Sequence, residues 1–407
     1  MKKLIALIVA LCCLALSAAA RPVPFSDVPA DAWYGAALDL LLERGLVSGF
    51  PDGTFRPQQG VTRAEFCALT LADAVSADAI ESARQAGEPW HTPYMAAAIK
   101  AGALDADANP NAPMLRLEAA RFLWALAGQP AVPTLAHRLS ETLSDWTHIP
   151  ADSQPAVLWA LHSGMMVGLG DGRFAPEGAL NRAQATILVA RRLGLGLLPV
   201  TIPALVVDDL SAATSSSQIV TVTTASLKDT QAVVNVYEQI DGVWLRVYRD
   251  LPAVAGIKGL MENRKQSTLT APVGDFGIVF AFGAKENPGV HADMEYRGIT
   301  PDSYWVLDSS SPLYNRWTEG RGDFKDREHL QSFGYQYNYA LVLDFNYHNP
   351  VKGDGGAIFM HVATYDGKGT AGCIGLSESD LLGIMRWLDP GANPRVIICP
   401  EGDLGKY

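Results

Sequence analysis

Along the first half of the chain apolar residues recur at helical spacing, and along the second half they alternate or run together as in strands. Ala36, Leu38, Leu41 and Leu42 fall on one helix face, Gly45 ends that helix, and Asp52-Gly53 closes a tight turn. Thr62 to Glu65 then reads as a capping box, in which a hydroxyl and a carboxylate satisfy free N–H groups at the start of a second helix. The same order returns further on. Phe25-Ser26-Asp27-Val28, Trp33, Gly45, the stretch Gly49 to Pro57 and Thr62-Arg63-Ala64-Glu65 have counterparts in Leu143-Ser144-Asp145-Trp146, Gly164, the stretch Gly168 to Pro176 and Asn181-Arg182-Ala183-Gln184. A weaker copy between them holds Trp90, Tyr94, Gly102, Asn109-Pro110 and Leu115-Arg116-Leu117-Glu118. The copies cover about 24–75, 85–130 and 142–195, and units this short bury enough apolar surface only by packing on one another.

The helical pattern breaks after Leu193 into Gly194, Gly196, Pro199, Pro203 and Ser215-Ser216-Ser217, which places a linker at 196–217. From Gln218 the texture is β. Strands are predicted over Gln218 to Thr224, Ala232 to Gln239 and Gly242 to Arg249, the last two joined at Asp241-Gly242. More follow at Gly277 to Phe282, Tyr339 to Phe345, Ala357 to Val362 and Arg395 to Ile398. One helix interrupts them, Ser377 to Leu388, opened by Ser377 with Asp380 three residues on and stopped before Pro390. The second unit, 218–407, is thus mainly β.

Composition narrows the class. With 407 residues the chain is too long for one ordinary domain, and 48% hydrophobic against 18% charged residues excludes wholesale disorder. A formal charge of -11 argues against nucleic acid as a partner, because phosphate neutralisation needs clustered Lys and Arg. Lys2 and Lys3, the apolar run Leu4 to Leu16 and the small residues Ser17 to Ala20 form the pattern of a secretory signal peptide over 1–20. Cys12 and Cys13 each follow a large residue where lipid attachment needs a small one, so a lipid anchor is rejected. No later apolar run is long enough to span a bilayer, and the mature chain is expected to be exported without membrane insertion. Cleavage leaves Cys67, Cys373 and Cys399, too few for a disulfide scaffold and odd in number, so at least one thiol is unpaired or paired between chains.

The chemistry concentrates in Gly355-Gly356-Ala357-Ile358-Phe359-Met360-His361 and Gly369-Thr370-Ala371-Gly372-Cys373-Ile374. His361 ends a strand and Cys373 sits in a glycine-bearing turn before a helix. A nucleophilic cysteine needs a base within reach and N–H groups to hold an oxyanion, and this arrangement can supply both. Competing readings are a buried inert thiol, a Cys373–Cys399 disulfide, and a zinc site from His348, His361 and Cys373, for which no tight ligand spacing exists.

From Val206 onward the sequence resembles the L,D-transpeptidase (YkuD-like) catalytic domain, in which a strand His and a Cys after S/T-x-G form the catalytic pair. Gly256-Ile257-Lys258-Gly259, Thr270 to Phe276, Tyr314-Asn315, Glu328-His329-Leu330 and Asn346 fall in the order of one branch of that family. The resemblance implies a β-sandwich-like domain without metal or cofactor that acts on peptidoglycan stem peptides. Cys373 would be nucleophile, His361 its base, and Gly372, Ile374 or Cys373 the oxyanion donors, with Thr370 and Asn346 in substrate binding. The family's usual S-H-G-C-x-R run has here Ala371 for His and Gly375 for Arg. The missing Arg turns attention to Arg316 or Arg327 as the group that holds a substrate carboxylate. The acyl-enzyme could pass to an amine, forming a cross-link, or to water, as in an L,D-carboxypeptidase or an amide-cleaving wall hydrolase; a non-catalytic wall-binding scaffold is the reading outside enzymes.

The repeats resemble the S-layer homology domain, present as three copies. That resemblance implies an all-α, pseudo-threefold bundle that binds an anionic secondary cell-wall polymer, with Arg63, Arg116 and Arg182 as the motif arginines. The alternative for those arginines is a solvated place beside a helix cap. Trp33, Trp90 and Trp146 are read as packing residues, a stacked sugar being the other use of an exposed ring.

Overall fold

The computed structural model describes residues 25–194, 196–363 and 368–407. The expected signal peptide lies outside the described residues. The chain divides into two compact units between Pro203 and Ala204.

In the helical unit three segments before helices bond to each other in a ring. Val61 N–H donates to Leu180 O at 3.0 Å, Leu180 N–H to Met114 O at 2.8 Å, and Met114 N–H to Val61 O at 2.8 Å. Each opens the helix that carries a motif arginine: Arg63–Leu71, Arg116–Leu126 and Arg182–Arg192. Thr62 with Glu65 and Asn181 with Gln184 make complete reciprocal caps; Leu115 has no side-chain acceptor, so the middle helix keeps only the Leu115 N–H to Glu118 half. The Ser-Asp pairs have a local purpose. Asp27 accepts from Phe55 and Arg56 N–H, and Asp145 from Phe174 and Ala175 N–H, pinning two turns whose Arg56 and Ala175 adopt positive φ. Phe66, Phe122 and Phe174 lie fully buried in the shared core.

The segment expected to link the units is divided between them. Val200 and Ile202 pack on the helical core. Leu205, Val207, Leu210 and Ala212 are buried against Ile219, Trp244 and Leu404 of the β unit, because apolar side chains at these positions have a core within reach.

The β unit is built on a nine-stranded sheet. Its order runs Ala340–Leu343, Phe359–Val362, Ile374–Leu376, Val243–Val254, Gln231–Ile240, Gln218–Thr224, Arg395–Pro400, Gly274–Gly283, Tyr296–Gly298. Ala340–Leu343 also pairs with Gly274–Gly283, which closes the sheet on itself. Alternation gives it two apolar faces. Ile358, Met360, Val362 and Ile374 pack with Leu381 and Ile384 of the Glu378–Trp387 helix, and Ala357, Phe359 and Cys373 with Phe280, Phe282, Trp305 and Tyr337. A three-stranded sheet, Arg327–His329, Ser303–Val306 and Arg316–Glu319, adds to the second face.

Candidate active site

The strand Phe359–Val362 runs parallel to Ile374–Leu376, with Met360 level with Ile374 and His361 with Gly375. Cys373 therefore enters its strand opposite Phe359, whose N–H points at Sγ at 3.4 Å. His361, two residues on, shares that face. The Sγ hydrogen is directed to Ala357 O at 3.3 Å, at a residue held at positive φ.

His361 and Cys373 line one cavity of about 320 Å³, within the size range of small-ligand sites. Burial pulls the imidazole down to about 4 and pushes the thiol up to about 12, so at neutral pH both are uncharged. Val362 O lies 2.9 Å from Nδ1 and can only accept, which puts the ring proton on Nδ1 and leaves the Nε2 lone pair free. Tyr337 stands edge-on to the His361 ring and donates its hydroxyl to Glu328 at 3.1 Å. Glu328, also in the cavity wall, is pushed up to about 7 by burial.

Thr370 shapes the turn that leads into Cys373. Its hydroxyl donates to Cys373 O at 2.6 Å and accepts from Gly372 N–H at 3.1 Å. Gly372 N–H is thereby engaged, and the Ile374 side chain faces the opposite core. Asn346 is a loop clamp: its amide donates to Gly355 O at 2.7 Å and its oxygen accepts from Val351 N–H at 2.6 Å.

Neither candidate carboxylate-binding arginine is in the cavity wall. Arg316 donates to Asn315 O and His348 O and lies over Tyr347. Arg327 precedes Glu328 in a strand, so when Glu328 faces the cavity alternation turns Arg327 to the other side, where it bonds Phe324 O and lines a cleft with Tyr304 and Lys325. The cation in the cavity is Arg264, which sequence reasoning passed over; its only mark was a place between two matched stretches, Gly256–Gly259 and Thr270–Phe276. Cys399 lies in the core of Leu205 and Trp244, apart from that of Cys373, and both thiols are free, which removes the disulfide alternative. His348 is exposed beside Asp344, outside the residues lining the cavity.

In the helical unit each motif arginine reaches a segment distant in the chain. Arg116 donates to Phe174 O and Val167 O, both at 2.7 Å, and Arg182 to Phe55 O at 2.9 Å and Ser48 O at 3.1 Å. Arg63 pairs with Glu118 and borders an open polar cleft with Asp105, Asn109 and Arg121. Trp146 packs on the core as expected. Trp33 and Trp90 do not: they are 65% and 59% exposed. Beside Trp33 the buried place belongs to Tyr34, and the indole lies edge-on against it.

A cysteine thiol and a neutral imidazole on one sheet face, in a cavity with a buried cation, form an arrangement suited to acyl transfer. Residues 231–398 match the L,D-transpeptidase catalytic domain (YkuD), and residues 24–67 and 142–186 match the S-layer homology domain. The chain is 28% identical over 181 residues to an S-layer protein of Bacillus licheniformis, covering 42% of this chain and 20% of that protein. It is 32% identical over 186 residues to the S-layer protein sap of Bacillus anthracis, covering 42% and 22%. An uncharacterized cell wall amidase of Bacillus anthracis is 29% identical over 177 residues, 41% of this chain and 31% of that one. The chain thus spans less than a third of the length of these relatives. Among solved structures, the helical cell shape determining protein Pgp2 from Campylobacter jejuni matches with a TM-score of 0.25 at 17% identity, over 45% of this chain and 48% of that one. The chain joins S-layer homology sequence to an L,D-transpeptidase catalytic domain and is a secreted, wall-associated protein of the cell surface. Among the described residues no helix is long and apolar enough to cross a membrane.

Proposed function

We propose that the β unit is a peptidoglycan L,D-transpeptidase that works through an acyl-enzyme on Cys373. The observation that carries this reading is the shared cavity of Cys373 and a neutral His361 whose Nε2 is the free lone pair. In this mechanism Nε2 takes the thiol proton as Sγ attacks the carbonyl before the terminal D-Ala of a stem tetrapeptide. The tetrahedral oxyanion is held by the Cys373 N–H, since Gly372 N–H is engaged by Thr370. The protonated imidazole returns its proton to the departing amine, D-Ala leaves, and the amine of a second stem attacks the thioester to form the cross-link and free the thiol. No cofactor or metal enters this sequence of steps.

The helical unit is proposed as a bundle of three S-layer homology copies, the middle one being the segment around Arg116. The ring of bonds joining Val61, Met114 and Leu180 supports a third copy. Its partner would be an anionic secondary wall polymer, with Arg63 beside an open cleft as the first contact to test. Tethering raises the local concentration of stems without altering the chemistry.

The test is product analysis with the full chain and a stem tetrapeptide, with and without a second stem as acceptor. Dimer formation with release of D-Ala is expected, and Cys373→Ala gives neither. Release of D-Ala without dimer assigns the domain to hydrolysis; no consumption of stem overturns the enzyme reading.

A further inference from the structure

Among the described residues no carboxylate forms an ion pair with Arg264. Its residue is 7% exposed, and its one hydrogen bond among the described residues runs from Nε to Thr270 O at 2.7 Å. Nη1 is buried and has no hydrogen-bond partner among the described residues. The acids of the same cavity are engaged elsewhere, Asp326 by the Gln266 amide at 2.7 Å and Glu328 by the Tyr337 hydroxyl. A buried guanidinium without an anion is costly, and burial pulls its own pKa below the usual value.

Two glycines make room for this charge. A Cβ at Gly355 would stand 2.2 Å from Nη1, and one at Gly372 2.9 Å from Nη2. Gly372 immediately precedes the nucleophile, so the guanidinium fork lies against the Cys373 turn. In a stem tetrapeptide the carboxylate of the last residue is one residue beyond the carbonyl that Sγ attacks. A planar fork whose Nη atoms carry no hydrogen bond among the described residues matches the two oxygens of a carboxylate.

We propose that Arg264 is the specificity-determining residue that binds the free terminal carboxylate of the donor stem beside Cys373, in the place of the arginine that Gly375 lacks. This rests on the peptidoglycan reading above for the identity of the stem, and on the orphaned guanidinium for the chemistry. It explains why both flanking positions are glycine. It also explains how the departing residue is oriented for attack on the carbonyl that precedes it.

The experiment compares two stem tetrapeptides, one ending in a free carboxylate and one in a carboxamide, with the full-length protein. The wild type should favour the acid by about tenfold to a hundredfold in kcat/KM, the range of a charge-assisted pair. Arg264→Met should bring the two within about twofold, mainly by raising KM for the acid, and Arg264→Lys should restore part of the preference. Equal rates on acid and amide in the wild type, or an equal slowing of both in Arg264→Met, would overturn the proposal and give Arg264 to the thiolate or oxyanion. Should Arg264→Met fail to fold, calorimetry with Cys373→Ala compares binding of the two stems directly, and equal affinities overturn the proposal. Preferential binding of the acid without any turnover by the wild type would keep the Arg264 assignment and sink the transpeptidase reading.

Discussion

The two units use arginine in opposite ways. Arg116 and Arg182 open corresponding helices and donate to carbonyls of segments distant in the chain, so they act as staples within the helical unit. Arg264 belongs to no repeat, and its buried guanidinium has an unpartnered nitrogen in the cavity of Cys373. A motif position therefore tells where a cation stands, whereas its unused donors tell whether a ligand is awaited. Arg63 lies between the extremes, paired with Glu118 yet bordering an open cleft.

The largest effect expected in the β unit is loss of turnover by about six orders of magnitude in Cys373→Ala, as for removal of a nucleophile elsewhere, with the melting temperature nearly unchanged. Cys67→Ala and Cys399→Ala should keep their activity; retained turnover in Cys373→Ala would break the mechanism. In the helical unit the matching test of a staple is Arg116→Ala. It strips charge-assisted bonds from Phe174 O and Val167 O and should cost about 3 kcal/mol, read by hydrogen exchange around those residues. Unchanged protection there would make Arg116 available to a ligand, as Arg264 is.

A smaller effect follows from charge in the cavity. The folded state holds Glu328 at about 7, above its ordinary value, so it favours the protonated acid. Its contribution is fully present below about pH 4.5 and is lost as the pH rises through 7. Glu328→Gln should therefore gain about 3 kcal/mol over the wild type at pH 8 and nothing at pH 4, measured by denaturant titration. For His361, held at about 4, the acid limb of kcat/KM should fall near pH 4 instead of near 6.5. A limb near 6.5 would mean that the imidazole is hydrated in the working enzyme.

The smallest effect is at the wall. Sedimentation of the full chain with purified walls should drop a few-fold in Arg63→Ala and weaken with added salt, because exposed charges are screened. No change on either count would make Arg63 a staple like the other two.

What could be read from the sequence follows the same division. Cys373, His361 and their common sheet face were legible because the Gly-rich turn and the strand alternation are local patterns. The caps at Thr62 and Asn181 were legible for the same reason. Arg264 was not, because its approach to Gly355 and Gly372 depends on how three distant segments close around one cavity. Arg316 and Arg327 were named only to fill the place of the missing motif arginine, and the sequence does not show that one step along the strand from Glu328 turns Arg327 to the other face. The linker was legible only as a break in pattern; that Val200 and Leu205 find separate cores is a property of the packed units.

The central claim is that Cys373 is the acyl carrier. Intact-protein mass spectrometry of the full chain quenched during turnover of a stem tetrapeptide tests it most directly. An added mass equal to that of the stem less that of free D-Ala is expected, with no further loss of water, mapped to Cys373 and absent from Cys373→Ala. An unmodified Cys373 while D-Ala is being released, or the same adduct in Cys373→Ala, would contradict it.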